Sequence, residues 1–385
     1  MIYFDNAATT LAKPPGVLTA VQQALGSFGA AGRGAHTASL AAGRAIYKAR
    51  ERVAWLLGAP SPQRVAFCAN ATEALNIVLS SLARPGSHAL TTAAAHNSIL
   101  RPLYRQAERG ARMSILPVAA DGSIDYAAFA DLFEADTNLA VVTHNSNVTG
   151  DVYDIARMAE ICHAHGALLA VDAAQTAGIL PLDMAEMGID ILVFTGHKGL
   201  YGIQGTGGLC LAEGVELEPL VVGGSGLHSF DHQHPTLMPE RLEAGTANAH
   251  GLAALAAGCD YLIEVGVAEV RSQSLVLARH FEAGARRIPG VRIYGGQADV
   301  QRSPIVALNV GSEDSAAISD RLDMEYGICT RPGVHCAPLM HEALGTAEQG
   351  AVRFSFSHLN TVAEVDKALA ALEQVSQTRK RSRCS

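Results

Sequence analysis

Two polar residues close two apolar runs. Lys198 follows the strand-like stretch Ile189–Phe194 within Phe194-Thr-Gly-His-Lys-Gly-Leu-Tyr201, and Asp172 ends another within Val171-Asp-Ala-Ala-Gln175. A primary amine can hold an aldehyde as a Schiff base, and a carboxylate can keep a pyridine nitrogen protonated; pyridoxal phosphate demands both. Taken singly, each also reads as a surface lysine or a turn aspartate, and it is their arrangement that points to chemistry. A third group is Cys336, in Arg331-Pro-Gly-Val-His-Cys-Ala337. There a glycine permits a tight backbone, and a neighbouring arginine and histidine would favour the thiolate, the nucleophilic form of sulfur. A zinc site at His335 and Cys336 lacks a second ligand pair at normal spacing, so no metal is expected.

Strands ending at one edge must carry these groups. Short apolar runs alternate with helical periodicity, the pattern of a parallel α/β sheet. A helix is predicted over Leu40–Leu57 with Gly58 as its C-cap, then a strand over Val65–Cys68. That strand runs into Asn70-Ala-Thr-Glu73 and a helix through Leu79. The amides around Ala71 and Thr72 with the Thr72 hydroxyl could cradle a phosphate or belong to an ordinary capping box, and the two readings stand level. Leu139–Thr143 reads as a buried strand. It precedes the loop Asn145-Ser-Asn-Val-Thr-Gly150, a helix from Ile155 to His165 and the strand Ala167–Val171 that delivers Asp172. Thr72, Asn147, Asp172 and Lys198 all fall at carboxyl ends of strands, where open parallel sheets bind ligands. The glycine-rich run Gly202–Gly208 has the wrong spacing for a dinucleotide loop and precedes a strand, Gly208–Ala212.

Beyond Gly251 the pattern changes to a long alanine-rich helix, a helix over Ser272–Ile288, strands over Val291–Tyr294 and Ile305–Val310, and a last helix over Thr361–Val375. The expected organisation is a large cofactor-binding α/β domain, residues 13–250, and a small α+β domain. Residues 1–12 and 251–385 would form the latter, bringing Cys336 and Arg353 to a site between the two.

A chain of 385 residues that is 49% hydrophobic can bury more than one core. The formal net charge of -8 and pI near 6.0 offer no basic face to a phosphodiester backbone, so nucleic acid is not an expected partner. The basic tail Arg379-Lys-Arg-Ser-Arg383 reads as a solvated terminus. No apolar run approaches the roughly 18 residues of a membrane span, and Met1-Ile-Tyr-Phe-Asp5 lacks the regions of a signal peptide, so a cytoplasmic protein without a membrane is expected. Seven scattered cysteines suit a reducing compartment. Cys68, Cys162, Cys210 and Cys259 read as packing residues, and His228, His232 and His234 as a polar loop.

With these residues assembled, the sequence resembles the class V aminotransferase family of fold-type I pyridoxal-phosphate enzymes, and within it the cysteine desulfurases and selenocysteine lyases. The likeness runs from Tyr3-Phe-Asp-Asn-Ala-Ala-Thr-Thr10 through Arg33-Gly-Ala-His36 to Val352-Arg-Phe-Ser-Phe356. It implies pyridoxal phosphate held covalently by Lys198, with Asp172 on the ring nitrogen, Gln175 on the phenolic oxygen and His96 stacked on the ring. It further implies phosphate ligation at the Ala71–Thr72 turn, Thr195 and His197, with Thr246 reaching the phosphate of a neighbouring subunit, hence a homodimer. Arg353 would grip the substrate carboxylate, with Arg331, Asn147, His36 and Asn6 around it. Cys336 matches a persulfide-forming cysteine, whose sulfur would pass to an acceptor protein. The implied substrate is L-cysteine, converted to L-alanine; L-selenocysteine is the alternative, and another aminotransferase or C–S lyase reaction a more distant one. Ala95 stands where an acidic residue is common, Gly199 extends the lysine motif, and Ala247 stands where proline is usual.

Overall fold

Strand β1 (Ile2–Tyr3) opens the chain in the computed structural model, followed by α1 (Pro15–Ser27), α2 (Thr37–Leu57), β2 (Val65–Cys68), α3 (Ala71–Leu82), β3 (His88–Thr92) and α4 (Asn97–Glu108). Next come β4 (Arg112–Leu116), α5 (Tyr126–Asp131), β5 (Thr137–Thr143), α6 (Ile155–Ala164), β6 (Leu168–Asp172), β7 (Ile191–Thr195) and β8 (Gly207–Leu211). The chain ends in α7 (Ala249–Val265), α8 (Val267–Ala285), β9 (Val291–Tyr294), β10 (Ile305–Val310), α9 (Ser315–Tyr326), β11 (Ile328–Cys329), α10 (Pro338–Ala343), β12 (Val352–Ser355) and α11 (Val362–Ser382). The structure describes residues 1–32, 34–227, 229–296 and 301–382, with side chains to 377. Arg33, His228, Arg383 and the side chains of the basic tail, singled out above, lie outside the described residues.

Seven strands form the main sheet in the order β2-β8-β7-β6-β5-β3-β4. Strands β4, β3, β5, β6 and β7 pair in parallel, while β8 runs antiparallel to both β7 and β2. Strands β6 and β7 are apolar up to their last residues, Asp172 and Thr195, as suits strands covered on both faces. Alternate residues point to the two faces of the sheet: Ala140, Val142, Leu169, Val171, Leu192 and Phe194 pack toward α2, α6 and α7. Leu139, Val141, Ala170, Ile191 and Val193 pack toward α3 and α4. The valine, leucine, isoleucine and phenylalanine side chains among them contribute about 1.5–3 kcal/mol each by leaving water, so the register of β5, β6 and β7 is strongly fixed. A one-residue slip of β6 would turn Asp172 to the opposite face.

The glycines of β8 serve packing. A Cβ on Gly208 would lie 2.2 Å from the Ala66 carbonyl oxygen of β2, so close strand approach accounts for a run that only loosely resembled a dinucleotide loop.

A second core joins Phe4, α8, α9, α11 and the strands β10 and β12. Its sheet is antiparallel, in the order β12-β10-β9, and β1 pairs in parallel with β11 beside it. The change of core does not fall at 250/251. Leu252, Leu255, Cys259 and Leu262 of α7 belong to the core of the main sheet, and α7 packs on α1 and α2. Alanine-rich α7 thus belongs to the large layer, and the handover runs along α8, from Val270 in the first core to Leu277 and Phe281 in the second.

Candidate active site

The carboxyl ends of β2, β3, β5, β6 and β7 meet at one edge, and a cavity there is lined by Ala71, Thr72, His96, Asn147, Asp172, Gln175, Thr195, His197 and Lys198. At one end is the start of α3. The Asn70 side chain accepts from the Glu73 amide at 3.0 Å and the Glu73 carboxylate accepts from the Ala69 amide at 2.7 Å. This capping box uses neither the Thr72 hydroxyl nor the amides of Ala71 and Thr72. The two readings of the turn are therefore compatible: Asn70 and Glu73 hold the helix end, and the open N–H groups remain for an anion. Thr195 adds a buried hydroxyl with no partner on the same cavity wall.

At the other end stands Asp172, 5% exposed. One oxygen accepts the Ala174 amide at 2.9 Å and the other faces Ser98 Oγ at 3.5 Å. Burial raises its pKa, opposed by the Ala174 bond and the Lys198 charge. Ser98 also bonds His96, whose Nδ1 accepts the Ser98 amide at 3.0 Å and lies 2.8 Å from Ser98 Oγ. Burial, with help from Lys198, Arg331 and Arg353, pushes the His96 pKa down to about 4, so its ring is neutral near pH 7. A neutral ring suits stacking on a cationic heterocycle.

Lys198 lies between these ends. Burial lowers its pKa from 10.5 to about 8, with Asp172 pulling the other way and Arg353 and Arg331 adding to the fall. A near-neutral pKa makes the amine usable as nucleophile and base. Its turn is packed closely: a Cβ on Gly199 would lie 2.5 Å from the Ala177 carbonyl oxygen, which explains the glycine that extends the lysine motif. The His197 carbonyl accepts from Lys13 Nζ at 3.0 Å and from the Thr10 amide at 3.2 Å, while its ring nitrogen contacts Thr9 Oγ1 at 3.0 Å. Gln175 Nε2 donates to Ala7 O at 3.0 Å.

The second core closes the site. Arg353 on β12 is 0% exposed, which rules out a surface ion pair. It donates from Nη1 to Asn147 O at 3.0 Å and from Nη2 to Asp5 Oδ1 at 3.0 Å, and its Nε is buried without a partner. Burial draws its pKa down to about 10, so it remains a cation. Arg331 is paired to it through the backbone, with N–H···O bonds of 3.2 and 2.8 Å. The Cys336 loop is clamped to the large layer: Asn97 N, the first residue of α4, donates to Cys336 O at 2.7 Å, and Asn147 Nδ2 donates to His335 O at 2.8 Å. Cys336 thus sits one hydrogen bond from the residue after His96. His335, however, does not charge the thiol's surroundings as expected: burial, with Arg353 adding to it, lowers its pKa to about 2, and it remains neutral.

Six expected residues do not line this cavity within one chain: Arg331, Arg353 and Cys336 stand beside it as described, and three others lie elsewhere. His36 is exposed and caps α2, its Nδ1 accepting the Ser39 amide at 3.3 Å. Thr246 is exposed on the wall of a separate groove with Tyr47, Arg50 and Glu243. Asn6 is buried but lines a neighbouring pocket with Lys198 and Tyr201, donating to Ser355 O at 2.9 Å. Sequence reasoning assigned no role to Ser98, Asp5 or Lys13. Ser98 could have been found as the hydroxyl two residues after His96 at a helix start; Asp5 lies inside the quoted N-terminal motif, its partner 348 residues away.

A family model described as Aminotransferase class-V matches residues 2–368. A probable cysteine desulfurase of Methanothermobacter thermautotrophicus is 33% identical over 382 residues, 97% of this chain and 94% of that protein. A cysteine desulfurase of Pectobacterium carotovorum is 31% identical, covering 97% of this chain and 93% of its own. Among solved structures, the apo cysteine desulfurase of Thermococcus onnurineus superposes with a TM-score of 0.91 at 30% identity, over 98% of this chain and 95% of that one. The Escherichia coli cysteine desulfurase CsdA, in an S-sulfonic acid form, gives 0.88 at 30% identity, over 98% and 94%.

Proposed function

The chain belongs to the class-V aminotransferase family, and we propose that it is a pyridoxal-phosphate-dependent cysteine desulfurase that converts L-cysteine to L-alanine and leaves the sulfur on Cys336. The observation that carries this is the shared cavity: a lysine with its pKa near 8, a buried carboxylate and an anion-ready helix start, with the Cys336 loop clamped beside it. The donor set fits the cofactor. The amides of Ala71 and Thr72 with the Thr195 hydroxyl would take its phosphate, Asp172 its ring nitrogen, Gln175 its phenolic oxygen and Lys198 its aldehyde carbon. When bound, the cofactor supplies an aldehyde for amines and an electron-withdrawing ring.

Arg353 binds the substrate carboxylate through the Nε it holds without a partner, a charge-assisted bond in a site away from water. Lys198 Nζ, unprotonated for an appreciable fraction of the time near neutral pH, takes the Cα proton. His96, neutral, covers the ring face. Cys336 Sγ attacks the substrate sulfur; the S–S bond forms as the Cβ–S bond breaks, the electron pair passes to the carbon skeleton, and protonation there gives alanine. Cysteine plus thiol gives alanine plus persulfide with no outside oxidant. Relatives named for cysteine rather than selenocysteine support this substrate.

In the same proposal the protein works in the cytoplasm as a homodimer, Thr246 serving the second copy, and hands its sulfur to an acceptor protein. Cofactor added to the purified protein should give a visible absorbance band that Lys198→Ala lacks, and turnover of L-cysteine should leave alanine and one added sulfur on the Cys336 peptide by mass spectrometry. Full sulfide release by Cys336→Ala would sink the role of that thiol.

A further inference from the structure

Behind Cys336, three buried side chains form a hydrogen-bond chain that no step of the sulfur transfer uses. His335, His341 and Thr346 are 2%, 0% and 1% exposed. His335 Nε2 lies 3.1 Å from Arg331 O, His335 Nδ1 lies 3.2 Å from His341 Nε2, and His341 Nδ1 lies 2.7 Å from Thr346 Oγ1. The two rings stack, 5.4 Å apart and 21° from parallel.

The direction of every hydrogen follows. A carbonyl oxygen can only accept, so His335 Nε2 carries a proton and donates to Arg331 O. A neutral His335 then has Nδ1 free to accept, so His341 must donate from Nε2. Burial keeps the His341 ring neutral although the Thr346 carbonyl pulls toward the cation, so with Nε2 protonated its Nδ1 accepts from the Thr346 hydroxyl, whose other acceptor, the His341 carbonyl, is farther away at 3.4 Å. Each ring is left with one tautomer, and no polar atom of the chain is orphaned.

The backbone in front of this chain needs support. His335 and Cys336 adopt φ of 51° and 57°, and Tyr201 is the only other non-glycine residue with positive φ among the described residues. Two consecutive left-handed residues with side chains persist only where their surroundings over-determine them. Here the supports are the carbonyl bonds of His335 and Cys336 to Asn147 and Asn97, the Ala337 amide on Val334 O at 2.9 Å, and the His335 ring on Arg331 O. The last of these depends on the tautomer set by His341 and Thr346.

We propose that His341 and Thr346 are positioning residues for sulfur transfer: by fixing the His335 ring as the Nε2–H tautomer they hold Cys336 in its left-handed turn and aim its sulfur at the substrate. This rests on the desulfurase reading above. The holoenzyme labelled with nitrogen-15 at histidine should show His335 and His341 both as neutral Nε2–H tautomers. Because a small misplacement of a reacting group is costly, His341→Leu and Thr346→Val should slow persulfide formation about ten-fold at unchanged KM for L-cysteine. His341→Gln, which can donate to His335 and accept from Thr346, and Thr346→Ser should return the rate to within about two-fold of the parent. In the slowed variants Cys336 should alkylate faster, because its turn is released.

Ring shifts showing His335 as the Nδ1–H tautomer or a cation would overturn the proposal. So would undiminished rates in Thr346→Val, or a glutamine variant as slow as the leucine one. If His341→Leu does not fold, the wild-type ring shifts and the Thr346 pair still decide. Loss of the Lys198-dependent band or of alanine formation in the parent protein would count against the desulfurase reading instead, while the ring shifts and alkylation rates judge the histidine chain on their own.

Discussion

Replacing Lys198 with methionine keeps the length and apolar body of the side chain and deletes its charge, separating what the amine costs the fold from what it does in chemistry. Burial holds the ammonium at a pKa of about 8 against an ordinary 10.5. Between those values the unfolded chain binds a proton that the folded chain has released, so wild-type stability rises with pH across that window. Below pH 8 both states are protonated and the full penalty of the buried charge is felt. At about 1.36 kcal/mol per pH unit, the gap caps that penalty at about 3 kcal/mol. Residual contact of Lys198 with solvent reduces the expected relief to about 2 kcal/mol. Urea unfolding of the two cofactor-free proteins at pH 7 should therefore find Lys198→Met more stable by about that amount, with the advantage shrinking as pH approaches 10.5. Lys13, also lowered to about 8 by burial, is present in both proteins and cancels from the difference. A methionine variant no more stable at pH 7, or an advantage that stays constant into the alkaline range, would refute the reasoning.

Two further outcomes follow from two buried arginines, Arg353 and Arg50. Arg353→Lys cannot reach both Asn147 O and Asp5, and a point charge replaces a planar fork; KM for L-cysteine should rise about ten- to hundred-fold in steady-state assays while the Lys198-dependent absorbance persists, and an unchanged KM would remove Arg353 from substrate binding. Glu243→Gln leaves the buried Arg50 without its carboxylate and weakens the acceptor of the Phe67 amide, bonds now at 2.5–2.6 Å; denaturant titration should record a loss of about 3 kcal/mol, and a loss below about 1 kcal/mol would mean that Arg50 is held by Val65 O and the Phe67 ring instead.

What could be read from the chain beforehand follows the range of the forces involved. Asp172 and Lys198 were legible because β6 and β7 are buried on both faces and so appear as unbroken apolar runs with a polar residue at the end. Strand β3 was not, because His88, Thr91 and Thr92 are buried polar residues; His88 is satisfied by Thr137 and Ser114, and Thr91 by Val141 O, none of them neighbours in sequence. The change of core along α8 was not legible for a related reason. Alanine and glycine in α7 signalled a change of composition, whereas small residues there let it lie close against α1 and α2 within the same core. Ser98 and Asp5 have ordinary sequence surroundings, and their importance appears only when α4 is brought to β6 and the N-terminus to β12.

A buried cluster of Ala93, Ala94, Val148 and Tyr153 with Tyr294, Ala307 and Met340 joins the two layers, and the first thirteen residues add a second link between them. On one side, the Ala7 carbonyl accepts from Gln175 and the His197 carbonyl accepts from Thr10 and Lys13, binding the segment to the lysine turn. On the other, Asp5 takes Arg353 Nη2, the Ser355 amide donates to Phe4 O at 2.7 Å, and Asn6 donates to Ser355 O. A two-residue strand such as β1 is marginal by itself, so this segment keeps its place through these contacts rather than through its own structure. Its effect is geometric. An amino acid is oriented when its nitrogen and its carboxylate are fixed independently; the cofactor aldehyde held at Lys198, on the turn after β7, would take the nitrogen, and Arg353 on β12 would take the carboxylate, so the two ends are held from different layers. A segment hydrogen-bonded to both sets the distance between them before any substrate arrives, so the cost of ordering the site is met during folding and binding energy remains for aligning the carbon–sulfur bond with Cys336.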